Sequence, residues 1–270
     1  MISLKNYIKV INKFDWDGHI HLFNASQSIF DLYKPASKHL IGFVDIEYDN
    51  IKLYEGKMID LYKQYIDNHY NSSQLLLATA PTAKEAIEVY EKFPNIIKGF
   101  GELKLYNTFK GKEVKYKKIS TAREICSYVS KQDKYLPVYI HYSLTNDNEV
   151  KRFDNLLKSY PNIPIVLCHC GMEIGCEDFA YYHAVDLMKK YSNLWVDISY
   201  YAAIIYFHTN PFKLYNLCLD RVILGSDFNI KMFGPNHSNP ELTCMDIYQQ
   251  IYQLTQYIDS DNNIKRLFKA

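Results

Sequence analysis

The chain has almost no net charge. Its 31 lysines and arginines stand against 30 aspartates and glutamates, which leaves a formal +1. Such a balance gives no electrostatic footprint for nucleic acid or for an anionic membrane surface, so neither partner is expected. The opening MISLKNYIKVINKFDWDGH has no long apolar stretch. A signal peptide and a membrane span are therefore not expected, and a cytoplasmic protein is. Glycine is scarce, ten in 270 residues, and none builds a phosphate-binding loop after the first apolar run. That absence argues against an open, doubly wound sheet. No Gly-x-Ser-x-Gly segment occurs, so a serine hydrolase lacks its usual elbow. The six cysteines, at 126, 168, 170, 176, 218 and 244, do not suggest a disulfide framework in a chain this long. Reduced thiols are expected. No linker or low-complexity tract divides the sequence, which reads as one domain over 1–270.

Repetition is what the sequence does have. Eight short apolar, β-rich runs recur: Phe14–Phe23, Ile41–Tyr48, Leu75–Ala80, Ile96–Tyr106, Leu136–Tyr142, Ile163–His169, Asn193–Tyr200 and Arg221–Phe228. Their starts lie 21 to 40 residues apart, the length of a strand plus a crossover helix. Amphipathic helices fit between them, for example over Ala83–Lys92, Thr121–Lys131, Glu149–Tyr160 and Cys176–Tyr191. Eight such units in a hydrophobic-rich chain of this length predict an α/β protein of the (β/α)₈ barrel type. The basic run of Lys110, Lys112, Lys115, Lys117 and Lys118 reads as a solvated loop.

In such a barrel, reactive side chains gather at the carboxyl ends of the strands. The first run contains Asp17-Gly18-His19-Ile20-His21. Alternation puts His19 and His21 on one face, where a divalent metal can take both imidazoles. By itself the pair is equally well read as two polar residues on the solvent face of a strand. The fifth run carries His141 next to its end, the sixth ends in His169 and the eighth carries Asp227 near its end. One histidine closing a buried strand is usually a hydrogen-bonded structural residue. Four histidines and an aspartate at the same barrel end are better explained by a shared metal site, because burying them without one leaves polar groups competing for partners.

These motifs, DGHIH, PVYIHYS, VLCHCG and LGSDF, resemble the amidohydrolase superfamily. The resemblance is to the branch related to aminocarboxymuconate-semialdehyde decarboxylase and 2-pyrone-4,6-dicarboxylate lactonase. It spans residues 17 to 228. It implies that His19, His21, His141 and Asp227 bind a divalent metal, with zinc first in line and manganese, iron or cobalt compatible. It implies that Asp227 also handles the proton of the activated water, and that His169 polarises the substrate or binds a second metal. The implied activity is hydrolysis of an amide, ester or lactone of a small molecule. Strand four, GFGELKLY, departs from that branch. Glu102 lies in a Gly-Glu-Leu segment similar to that of TatD-like nucleases, and a lysine at Lys104 is similar to the carboxylated lysine that bridges two metals in other amidohydrolases. Either would make the site binuclear; an inward ion pair or a substrate contact explains both equally. Three alternatives stay open: a non-oxidative decarboxylase, a TatD-like phosphodiesterase, and a non-catalytic metal-binding barrel.

The remaining candidates are weaker. Lys104 and His237, the latter in the loop MFGPNHSNP, are candidate substrate contacts. Asp17 is a candidate orienter of a metal-binding histidine. Asp197 and Ser199 point inward by parity and read as polar filling. His39, His69, His183 and His208 fall in helical or loop stretches and carry no role. Cys168 and Cys170, read as strand residues, should share one face and His169 take the other.

Overall fold

The computed structural model describes residues 15–22, 39–44, 57–80, 82–105, 108–109, 112–113, 119–173, 175–227 and 240–269. Eight strands form the sheet: β1 (Trp16–His21), β2 (His39–Phe43), β3 (Gln74–Ala78), β4 (Ile97–Lys104), β5 (Val138–His141), β6 (Ile165–Leu167), β7 (Leu194–Ile198) and β8 (Val222–Leu224). They pair in parallel and in sequence order, β1 to β8. Each of the eight apolar runs contains or overlaps one of these strands. The helices are α1 (Met58–His69), α2 (Ala83–Lys92), α3 (Ile119–Val129), α4 (Asp147–Ser159), α5 (Glu177–Lys190), α6 (Tyr201–Thr209), α7 (Pro240–Leu254) and α8 (Ser260–Lys269). Parallel strands alternating with helices in this order make a (β/α)₈ barrel.

The helix starts follow from local chemistry. Thr82 accepts the Glu85 N–H with its side chain and caps α2. The Asn146 side chain accepts the N–H groups of Asn148 and Glu149 and caps α4. Each cap satisfies donors that a helix leaves unpaired. None of the described helices is long and apolar enough to cross a membrane.

Two cores lie on the two faces of the sheet. The larger one sits between strands and helices. The smaller one fills the barrel with Ile41, Phe43, Leu77, Tyr139, Val166, Cys168, Trp195 and Ile223. Ile264 and Leu267 of α8 join it, together with Trp16 and Leu75 from the first turns of their strands. Asp261 of α8 accepts the N–H of Trp16 at 3.1 Å. The last helix therefore plugs the amino end of the barrel and leaves the carboxyl end for chemistry.

The seam between β8 and β1 depends on missing side chains. A Cβ on Gly18 would lie 2.3 Å from Ile223 Cγ2 and 2.7 Å from the Leu224 carbonyl. A Cβ on Gly225 would lie 2.5 Å from His19 Cβ. With both absent, the Asp227 N–H reaches the His19 carbonyl at 2.9 Å and nearly closes the ring.

Three expectations need correction here. The strand expected to run to His169 stops at Leu167. Residues 168–171 form a 3₁₀ turn in which His169 and Cys170 adopt left-handed conformations, φ 55° and 56°. Cys168 consequently joins the inner core while Cys170 joins the outer one, so they do not share a face. His39 opens β2 rather than lying in a loop, and stacks on Trp16 with ring centroids 4.7 Å apart. Within the basic run, Lys112–Glu113 pairs with Thr108–Phe109 as a two-stranded antiparallel ribbon. Lys110, Lys115, Lys117 and Lys118 lie outside the described residues, as does His237.

Candidate metal centre

β1 supplies two imidazoles to the carboxyl end of the barrel. His19 Nε2 and His21 Nε2 lie 3.3 Å apart. Asp227, three residues beyond β8, brings Oδ1 to 3.1 Å from His21 Nε2 and 3.2 Å from His19 Nε2. Its φ of 56° is a left-handed conformation, which aspartate tolerates better than most residues. Three donors 3.1–3.3 Å apart match the edge of about 3.3 Å that tetrahedral ligation at about 2.0–2.1 Å produces.

Glu102 lies opposite. Its Oε1 is 2.9 Å from His141 Nδ1 and 3.2 Å from His169 Nε2, and its Oε2 is 3.4 Å from His21 Nε2. A slip in the ladder puts it there. Phe100 pairs with Val138 and Leu103 with Ile140, three residues against two. Strict alternation from Phe100, which faces the outer core, would have sent Glu102 outward as well. Lys104 Nζ stands 3.7 Å from Glu102 Oε2 at the half-buried edge of the pocket.

The structure thus brings His19, His21, Glu102, Lys104, His141, His169 and Asp227 into one pocket. Asp17, the candidate orienter of a histidine, meets His19 through its backbone rather than its ring. Its carboxylate accepts the backbone N–H of His19 at 3.1 Å and of Ser226 at 2.9 Å, and the Tyr248 hydroxyl at 2.6 Å. It thereby fastens β1 to the segment after β8. Asp197 and Ser199 are more than polar filling. Asp197 Oδ2 is 2.9 Å from His19 Nδ1, Asp197 Oδ1 accepts the His169 N–H at 2.9 Å, and Ser199 Oγ is 2.9 Å from His169 Nδ1. Parity gave their direction; nothing in the sequence named the histidines they meet. Sequence reasoning missed Glu173 altogether. It lies in the loop after β6, where no periodicity marks it, with Oε1 3.9 Å from His141 Nε2.

The electrostatics of the cluster are mutual. Burial alone would discourage charge on His19, but Asp197 and Asp227 outweigh it and raise its pKa well above the ordinary value. His169 is raised in the same way against its burial, by Asp227, Glu102 and Asp197. Burial would raise the Glu102 carboxyl, yet His141, His169 and Lys104 hold it well below its usual range. Asp227 is also held low against burial, chiefly by His169, His19 and His21.

A cation fits this pocket. Both oxygens of Glu102 and Oδ2 of Asp227 are buried without a hydrogen-bond partner. The imidazole nitrogens near Glu102 are close enough for hydrogen bonds but not aligned for them. A buried charged oxygen left this way costs more than the ~1–3 kcal/mol of a neutral one. Two overlapping sets, His19/His21/Asp227 and His19/Glu102/His169, each bring three ligand atoms within 4.8 Å of one another. Imidazole and carboxylate donors of this kind suit a divalent transition metal.

No protein-family model matches the sequence. No curated protein matches it either. Solved structures do. A 2,6-dihydroxybenzoate decarboxylase complexed with 2,6-dihydroxybenzoate matches at a TM-score of 0.58 and 11% identity, over 95% of this chain and 98% of its own. A candidate 2-pyrone-4,6-dicarboxylic acid hydrolase from Pseudomonas putida matches at 0.58 and 14%, over 94% and 97%. An amidohydrolase from Burkholderia multivorans with bound zinc matches at 0.57 and 10%, over 95% and 96%. Over nearly its whole length, the chain shares its barrel fold with amidohydrolase-type enzymes.

Proposed function

We propose that the protein is a metal-dependent hydrolase acting on the carbonyl of an amide, ester or lactone in a small molecule. One observation carries this reading: buried Glu102 and Asp227 oxygens without hydrogen-bond partners, facing four imidazoles at the carboxyl end of the barrel. His19, His21 and Asp227 Oδ1 would hold the ion, with Glu102, His141 and His169 available on the facing side. Zinc is the ion proposed, and the fold's likeness to a zinc-bound amidohydrolase supports it. Such an ion lowers the pKa of water from 15.7 to about 7 and polarises a carbonyl oxygen.

The chain's own groups divide the proton work. Asp227 turns Oδ1 toward His19 and His21 and keeps Oδ2 without a hydrogen bond. Oδ2 is the proton acceptor, and its depressed pKa keeps it ionised at neutral pH. The same oxygen returns the proton to the leaving group. His169 is fixed by Ser199 at Nδ1 and presents Nε2 to the pocket, where it can donate to the developing oxyanion. Lys104 at the edge is placed to meet an anionic group of the substrate.

Decarboxylation is the second reading, supported by the likeness to a decarboxylase of the same fold. The test is metal analysis of the purified protein followed by a panel of lactone, amide, carboxylate and phosphodiester substrates. Carbonyl hydrolysis that stops on chelation and returns with zinc supports the proposal. Carbon dioxide release without hydrolysis would replace it with decarboxylation, and metal-dependent phosphodiester cleavage would replace it with nuclease-type chemistry.

A further inference from the structure

Each imidazole of the pocket has two ring nitrogens, and the partner of the outward one decides how the ring is held. For His19 that partner is Asp197, 2.9 Å from Nδ1. For His169 it is Ser199, 2.9 Å from Nδ1. His141 is oriented the other way round. Its Nδ1 faces Glu102 at 2.9 Å, and its Nε2 faces Glu173 at 3.9 Å. Glu173 arrives from the loop after β6, whereas His141 ends β5. Its Oε1, the oxygen nearest His141, also accepts the hydroxyl of Ser143, two residues beyond His141. The carboxylate is thus held from the same segment whose histidine it meets.

We infer that Glu173, held by Ser143, is a positioning residue for His141: its carboxylate, at ion-pair distance from Nε2, holds the ring so that Nδ1 stays turned into the pocket. This rests on the metal reading above. A ligating histidine whose other nitrogen is held by a carboxylate is locked in one tautomer and one ring orientation, and its basicity rises. Asp197 gives His19 that support from inside the barrel. Glu173 steadies His141 from the mouth across a longer gap, with its side chain 40% exposed. A group so exposed contributes little packing, so its removal should leave the fold alone.

The test is zinc affinity, measured by competition with a chromophoric chelator, alongside thermal unfolding of the metal-free protein. Glu173→Ala should weaken zinc binding about 10–100-fold, the range typical of lost ligand-supporting carboxylates, with unfolding unchanged. Glu173→Gln keeps the size of the side chain and an oxygen for Ser143 but not the charge facing Nε2, and should recover only part of the affinity. Ser143→Ala should weaken zinc binding by less, and should add little once Glu173 is already alanine. A Glu173→Ala protein that binds zinc as tightly as wild type but shows a raised KM would overturn the inference and make Glu173 a substrate contact. Wild-type protein that takes up no zinc, manganese, iron or cobalt would overturn the metal reading and this role with it.

Discussion

Asp197 Oδ2 lies 2.9 Å from His19 Nδ1, while the opposite nitrogen of the same ring lies 3.2 Å from Asp227 Oδ1. One buried imidazole therefore spans two carboxylates from two different strand ends. Asp197 also accepts the His169 N–H, which holds the left-handed turn after β6. Asp197→Ala should break both. Removing one partner from a buried charged pair costs about 3–5 kcal/mol, and zinc affinity should fall about 10–100-fold. Urea denaturation of the metal-free protein and a chelator titration measure the two effects. Wild-type values in both would mean that Asp197 merely fills space.

The pH dependence of the metal-free protein follows from the same contacts. His19 and His169 have folded pKa values raised above the unfolded ones. Their stabilising contribution is complete below the ordinary histidine pKa and is lost as pH rises through the raised values. Glu102, Asp197 and Asp227 are depressed. Their contribution is present above the ordinary carboxylate range and is lost as pH falls through the depressed values. Metal ligation needs neutral imidazoles, so uptake near pH 7 should expel protons. Calorimetry in buffers of different ionisation enthalpy should show net proton release, and affinity should climb from neutral to mildly alkaline pH. A buffer-independent heat with a flat affinity would show the imidazoles to be neutral beforehand.

Some of this site was legible in the sequence because strand parity survives translation into structure. His19 and His21 are two apart on β1 and share the barrel interior. The fold was legible for the same reason, since eight apolar runs at crossover spacing leave few topologies. Parity failed where the backbone leaves the regular strand. Glu102 faces the pocket, as its place near the end of strand four led one to expect, but it gets there through the slip between Phe100 and Leu103, which the sequence does not show. His169 reaches the pocket from a turn rather than a strand, so Cys168 and Cys170 separate. Glu173 belongs to a loop, where contacts are made by folding and not by periodicity.

Gly225 tests how tightly the β8–β1 seam controls the site. A methyl group there would meet His19 Cβ at 2.5 Å and His19 N at 2.7 Å. Neither atom can yield without moving the metal-facing ring. Gly225→Ala should cost about 1–3 kcal/mol by overpacking and should weaken metal binding at the same time. Urea denaturation combined with zinc titration checks both. Destabilisation with undisturbed zinc affinity would separate the seam from the site.

Asp227 is asked to be ligand and proton acceptor together, with one oxygen for each task. Oδ1 faces His19 and His21, and Oδ2 is buried without a hydrogen bond. Asp227→Asn keeps the size of the side chain and one oxygen donor for the ion. Its amide nitrogen cannot accept a proton. The variant should fold, since the backbone bond from its N–H to the His19 carbonyl does not involve the side chain. It should keep part of its metal, because one oxygen still points at the imidazoles. Its turnover on whichever substrate the panel identifies should fall about 10²–10⁴-fold, the usual contribution of a general base. Rates must be compared per bound metal ion, because a weakened ligand could also empty the site. An Asn variant with full metal content and the wild-type rate would move the proton to another group. Glu102 is the nearest carboxylate with unpartnered oxygens, and Glu102→Gln would then be the variant to lose activity at full metal content.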